Sequence, residues 1–175
     1  MFVGHYGPSF AVKAIKPSVP LWLPFIAVQL VDVAWAILIL LGIEKVRIVP
    51  GITASNPLDL YYMPYTHSLV AAVLWSVGAL VLCKPLRGVG TWSAAAWIGA
   101  AVFSHWVLDW VVHRPDLPLY DDAMKVGLGV AIQAYIFFGP PPASPAALAL
   151  TALISYVVFA AVAEWLDRQR SHVAV

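Results

Sequence analysis

Two residues four apart, His105 and Asp109, stand in an otherwise apolar run, and His113 follows after another four. On a helix that spacing puts all three on one face, with about 6 Å of rise from each to the next. Asp32 interrupts a second apolar run, His67 opens a third, and His5 lies near the start, in a chain with only five histidines and nine acids. Imidazole and carboxylate are the usual non-thiol ligands of Zn²⁺ and also suit Fe and Mn. Cys83 is the single cysteine, so neither a thiolate cluster nor an internal disulfide is available. A divalent ion held by His5, Asp32, His67, His105 and Asp109 would lower the pKa of a bound water from about 15.7 to about 7 and polarise a carbonyl or phosphoryl oxygen, which is the chemistry of hydrolysis. A carboxylate not spent on coordination, Asp109 or Asp32, could then act as general base, with His113 or Arg114 stabilising developing negative charge at the rim. The competing reading is a set of polar contacts between helices, which burial in a bilayer would also demand.

The elements that position these residues follow from composition. Of 175 residues 62% are hydrophobic and 11% charged, and the mean hydropathy is +0.84. That excess exceeds an ordinary soluble domain and implies an integral membrane protein. The expected architecture is all-α: one membrane domain over residues 1–175, a transmembrane bundle of five long spans plus a short N-terminal re-entrant or sixth helix at about 2–16. The spans fall at 21–43, 67–83, 91–113, 125–139 and 146–166, the fourth bounded by Gly139-Pro140-Pro141-Pro142. Pro20 and Pro24 sit in the opening turn of the first span, where a missing N–H does little harm. Residues 52–65, with Asn56-Pro57 and Met63-Pro64, read as a long loop. If that loop marks face B and the opposite side face A, His67, His105, Asp109 and His113 all belong near face B and can converge, with Asp32 as the floor of a cavity and Gln29 orienting it. His5 could reach the same region if residues 2–15 re-enter the bilayer from face A. Alternating crossings assign four basic residues to face A and six, including Arg168 and Arg170, to face B, a weak orientation signal.

Blander readings suit the remaining polar groups. Glu164 and Arg168, four apart, read as an ion pair at face B, and Asp116, Asp121 and Asp122 as solvated charge in a turn. Trp22, Trp92 and Trp165 read as interfacial anchors. A net charge of +1 with scattered Lys and Arg gives no nucleic-acid-binding face. The first seven residues lack the features of a cleavable signal, so membrane targeting is expected from the spans themselves.

The chain resembles the bacterial membrane-bound, metal-dependent hydrolases of the YdjM-like family. The resemblance is carried by Gly4-His5-Tyr6, Gln29-Leu30-Val31-Asp32, Pro64-Tyr65-Thr66-His67-Ser68-Leu69, Ser104-His105-Trp106-Val107-Leu108-Asp109 and His113-Arg114-Pro115-Asp116. It spans about residues 4–116, and the last two expected helices carry no motif. It implies that His5, Asp32, His67, His105 and Asp109 are metal-associated, in a multi-pass protein of the bacterial cytoplasmic membrane acting on a membrane lipid or a small ester or phosphoester. Two departures, a lone Asp32 where a double-Asp motif is common and Tyr62-Met63 where a His-Arg precedes the Thr-His-Ser, point to a single ion or to a divergent non-catalytic role; Zn is the favoured ion, with Fe and Mn as alternatives. The alternative function is non-enzymatic: a proton or ion relay through Asp32, His105 and Asp109, or a structural subunit of a larger membrane complex.

Overall fold

The computed structural model describes residues 4–52, 57–130 and 143–173. A 3₁₀ turn (Gly4–Tyr6) leads into α1 (Gly7–Ile15), followed by α2 (Trp22–Val28), α3 (Leu30–Leu40), β1 (Lys45–Ile48), β2 (Leu58–Tyr62), α4 (Leu69–Cys83), α5 (Trp92–Val112) and α6 (Pro145–Val173). The fold is therefore not the expected all-α bundle of five long spans. Among the described residues two helices, Trp92–Val112 and Pro145–Gln169, are each long and apolar enough to cross a membrane, and α2 with α3 make a third only if that bent pair counts as one span.

Each departure has a local cause. The first expected span is cut at Gln29, whose φ of −107° and ψ of 5° leave the helical region, and α2 and α3 meet at a 57° bend. The span expected from His67 begins only after Ser68, whose hydroxyl caps α4 by accepting from the Ala71 N–H; the remaining 15 residues cover about 22 Å, short of a full crossing. The expected loop at 52–65 contains β2, which pairs antiparallel with β1 in the register Lys45↔Tyr62, Arg47↔Asp59 and Ile48↔Leu58. Residues 53–56 at the tip lie outside the described part.

The expected span 125–139 is not helical over its first six residues, and the rest lies outside the described part. Here the backbone serves α5: the N–H groups of Leu128, Val130 and Gly129 donate to the carbonyls of Trp110, Val111 and His113, which a helix C-terminus leaves without partners. A Cβ at Gly127 would run into the carbonyls of His113 and Arg114, so only glycine lets the strand lie this close.

Helix α6 runs opposite to the expected direction. It starts against β1, and near its other end Asp167 Oδ2 lies 2.6 Å from Lys13 Nζ while Glu164 Oε2 accepts from the Trp22 N–H. The Glu164–Arg168 pair forms at 2.9 Å, but at face A rather than face B.

Helix α5 is the centre of the bundle, packed on α4, α2 and α1. Its contact face is built of Ala94, Ala95, Ile98, Gly99, Ala101 and Val102. Small residues let helices approach closely, and a Cβ at Gly99 would lie 2.9 Å from the Ser76 carbonyl oxygen of α4. This apolar cluster continues into α2 through Leu23, Phe25 and Val28. A second cluster of Trp35, Ile39, Val46, Met63 and Leu117 packs the hairpin onto α3. The outward faces of α4 and α6 stay apolar and exposed, with Leu74, Leu82, Ile154 and Val157 all more than half accessible.

Candidate metal centre

Four parts of the fold deliver five ligand-type side chains to one buried cluster. The 3₁₀ turn brings His5, the first turn of α3 brings Asp32, the residue before the α4 cap is His67, and the last turns of α5 bring His105 and Asp109. His5, His67, His105 and Asp109 are each at most 4% exposed. His105 Nε2 lies 3.2 Å from Asp109 Oδ2 and 3.4 Å from Asp32 Oδ1. His67 Nε2 lies 3.2 Å from Asp32 Oδ1, and His5 Nε2 lies 3.1 Å from Asp109 Oδ1. The His5 ring stacks on His105 with centroids 4.0 Å apart. Two overlapping triads result, His5–His105–Asp109 and Asp32–His67–His105, each able to hold a metal ion.

The surroundings fix how these groups point. Val28 ends α2 at the helix break, and its carbonyl accepts from His105 Nδ1 at 2.7 Å. A carbonyl only accepts, so Nδ1 carries the proton and the lone pair of the neutral ring sits on Nε2, facing the carboxylates. Tyr156 of α6 donates to Asp32 Oδ2 at 2.8 Å, leaving Oδ1 for the cluster. That orienting role was expected of Gln29, which is fully buried at the break between α2 and α3. The Trp106 indole N–H donates to the His67 carbonyl at 3.0 Å, tying α5 to the start of α4.

The spacing has the dimensions of a ligand shell. Two ligand atoms each about 2.05 Å from a tetrahedral ion stand about 3.3 Å apart. Four contacts of 3.1 to 3.4 Å bracket that value, His67 Nε2 to Asp109 Oδ2 is longer at 3.8 Å, and the Nε2 atoms of His5 and His105 are buried without a hydrogen-bond partner despite their nearness to carboxylate oxygens. Lone pairs of nitrogen and oxygen directed at one point repel unless a proton or a metal cation lies between them, and a single dication can serve several of these contacts at once. Two carboxylates and three neutral imidazoles around a dication sum to zero charge, which lowers the cost of burial. The residues fit a divalent metal.

The other expected site residues lie at the hairpin end. His113 Nε2 is 3.6 Å from Asp109 Oδ1, and its Nδ1 is 2.9 Å from Asp116 Oδ1. Burial pushes the His113 imidazole down, but Asp109 and Asp116 outweigh it and hold the ring above the usual histidine range. Arg114 donates to Asp59 Oδ1 at 2.6 Å and to Asp116 Oδ2 at 3.1 Å, and Asp59 also pairs with Arg47 across the hairpin. Asp116, expected to be solvated, is instead buried at the junction of His113 and Arg114.

Glu44 and Thr66 are absent from the expected set. Glu44 is 1% exposed; its Oε1 accepts from the backbone N–H groups of Tyr65 and Thr66, and its Oε2 accepts from the Thr66 hydroxyl at 2.7 Å. Burial raises the Glu44 carboxyl above its ordinary range against the pull of these donors. The only sequence signal was an acid beside the apolar run ending at Ile43, with Thr66 preceding His67. No family model, curated protein or solved structure matches the chain.

Proposed function

We propose that the chain is a multi-pass protein of the bacterial cytoplasmic membrane that hydrolyses an ester or phosphoester bond of a lipid-derived substrate with the help of one divalent ion, most suitably zinc. The observation that carries this reading is His105, whose Nδ1 is committed to the Val28 carbonyl while Nε2 faces Asp32 and Asp109 at ligand–ligand distances. Such an ion, when bound, supplies Lewis acidity and makes water a nucleophile near neutral pH. Asp32 Oδ1, Asp109 Oδ2 and the Nε2 atoms of His67 and His105 would hold it, with His5 closing the side nearest Asp109. His113, whose imidazole Asp109 and Asp116 hold above the usual histidine range, is placed to stabilise developing negative charge on the substrate. Arg114 has its guanidinium occupied by Asp59 and Asp116 and serves to hold the hairpin end. The resemblance to the YdjM-like hydrolases supports the same reaction class.

A groove supports the lipid assignment. It encloses about 780 Å³ and runs along α4 from Tyr65 and Ser68 to Leu82 and Cys83, walled opposite by Ile26 and Leu30. Ser68, the residue after His67, lines the groove where α4 begins, while His5, Asp32, His67, His105 and Asp109 themselves lie outside its lining. Its run of about 22 Å exceeds the depth of one leaflet, about 15 Å, and accommodates an acyl chain.

The test is elemental analysis of detergent-purified protein beside a His67→Ala/His105→Ala variant after a chelator wash. Hydrolysis of 4-nitrophenyl esters of increasing acyl length is then followed in both. Near one equivalent of metal and rising activity with chain length in the wild type, both lost in the variant, is the expected result. Absence of metal from both proteins overturns it and moves the same residues to a relay or structural role.

A further inference from the structure

We infer that Glu44, acting through Thr66, dictates the tautomer of His67 and so decides whether its Nε2 can be a ligand; the inference rests on the metal-centre reading above. The Thr66 oxygen lies 2.7 Å from Glu44 Oε2 and 2.8 Å from His67 Nδ1. A hydroxyl has one proton to give. Glu44, accepting on both oxygens, takes that proton, so the Thr66 oxygen accepts from His67 and a ring proton sits on Nδ1, which leaves Nε2, 3.2 Å from Asp32 Oδ1, as the one ring nitrogen a metal ion can take in place of a proton. His67 is thus set by a side chain relay where His105 is set by a backbone carbonyl.

The fold builds the relay on purpose-shaped ends. Helix α3 stops at Gly42, in a left-handed conformation with φ of 71°, where the Ile43 N–H bonds back to the Leu38 carbonyl and the Gly42 N–H to that of Ile39. That turn delivers Glu44 to the base of the hairpin. The pairing of Lys45 with Tyr62 then brings the residues just outside the two strands, Glu44 on one side and Thr66 on the other, together.

Glu44→Gln is the discriminating substitution because it preserves shape and reverses one bond. The amide oxygen keeps the Tyr65 and Thr66 N–H groups, so the NH₂ faces Thr66 and donates to it. Thr66 must then give its proton to His67 Nδ1, and the ring proton moves to Nε2. With ¹⁵N-labelled histidine in metal-free protein, the wild type is expected to carry a proton on His67 Nδ1, with or without a second on Nε2 facing Asp32 Oδ1, and Glu44→Gln to carry its proton on Nε2 alone. Zn²⁺ affinity, measured by chelator competition, is expected to fall about 10- to 100-fold in Glu44→Gln. Thr66→Ser keeps the wild-type affinity and Thr66→Val does not, which carries the test if Glu44→Gln fails to fold. In a His67→Ala background Glu44→Gln adds nothing further. Unchanged tautomer and affinity in Glu44→Gln, or an equal loss with and without His67, overturns the inference. A wild type that binds no Zn²⁺ yet shows the tautomer switch instead overturns the metal centre while leaving control of His67 by Glu44 standing.

Discussion

Among the described residues, helices α5 and α6 are the two long and apolar enough to cross a membrane alone, and they divide the work unequally. The most apolar window of α6 has a mean hydropathy of 2.3 and is 22% buried in the protein; that of α5 reaches only 1.4 and is 39% buried. The less hydrophobic helix is the better packed one, because it carries His105 and Asp109 and the small residues that admit α4. In these two helices hydropathy therefore follows exposure at the protein surface, whereas contribution to the site follows the polar interruptions. Helix α6 breaks its apolar run facing the cluster with the Tyr156 hydroxyl, and through it orients Asp32.

Four substitutions sharpen or break that contrast. The largest effect is expected from His105→Ala in α5, which removes a ligand shared by both triads and abolishes metal retention after a chelator wash; elemental analysis decides, and full retention would sever α5 from the site. Gly99→Ala, six residues away, places a methyl 2.9 Å from the Ser76 carbonyl and should destabilise by about 1–3 kcal/mol in denaturant titration of detergent-solubilised protein. Tyr156→Phe in α6 should weaken Zn²⁺ by about tenfold, read by chelator competition, with the thermal midpoint unchanged. Val157→Ala, one residue on and 62% exposed, should shift stability by no more than about 0.5 kcal/mol in the same titration. Equal effects of Tyr156→Phe and Val157→Ala would reduce α6 to a lipid-facing prop.

What could be read from the sequence was whatever is written within one element. The limits of α5, expected at 91–113 and found at Trp92–Val112, are marked by Thr91, whose hydroxyl caps the helix by accepting from the Ala94 N–H. The shared face of His105 and Asp109 follows from spacing alone. Missing were the features that depend on a partner distant in sequence. Leu58–Tyr62 becomes a strand only by pairing with Lys45–Ile48, and its flanking prolines, Pro57 and Pro64, masked a pattern that Lys45-Val46-Arg47-Ile48 shows as polar and apolar alternation. The apolar stretch from Val126 looks like a helix until the unpartnered carbonyls at the end of α5 claim its N–H groups. Glu44 was overlooked because its meaning lies in Thr66, 22 residues on.

The Tyr156–Asp32 hydrogen bond joins residues 124 apart in the chain. At 5–20 residues per second, synthesis separates the emergence of the two by on the order of ten seconds. Four of the cluster's side chains, His5, Asp32, His67 and His105, and then Asp109, are all translated before the hydroxyl that sets the Asp32 carboxylate exists. Assembly is thus ordered in time: the donor set gathers when α5 docks, and reaches its finished geometry only when the last helix has been made and has folded back along α3.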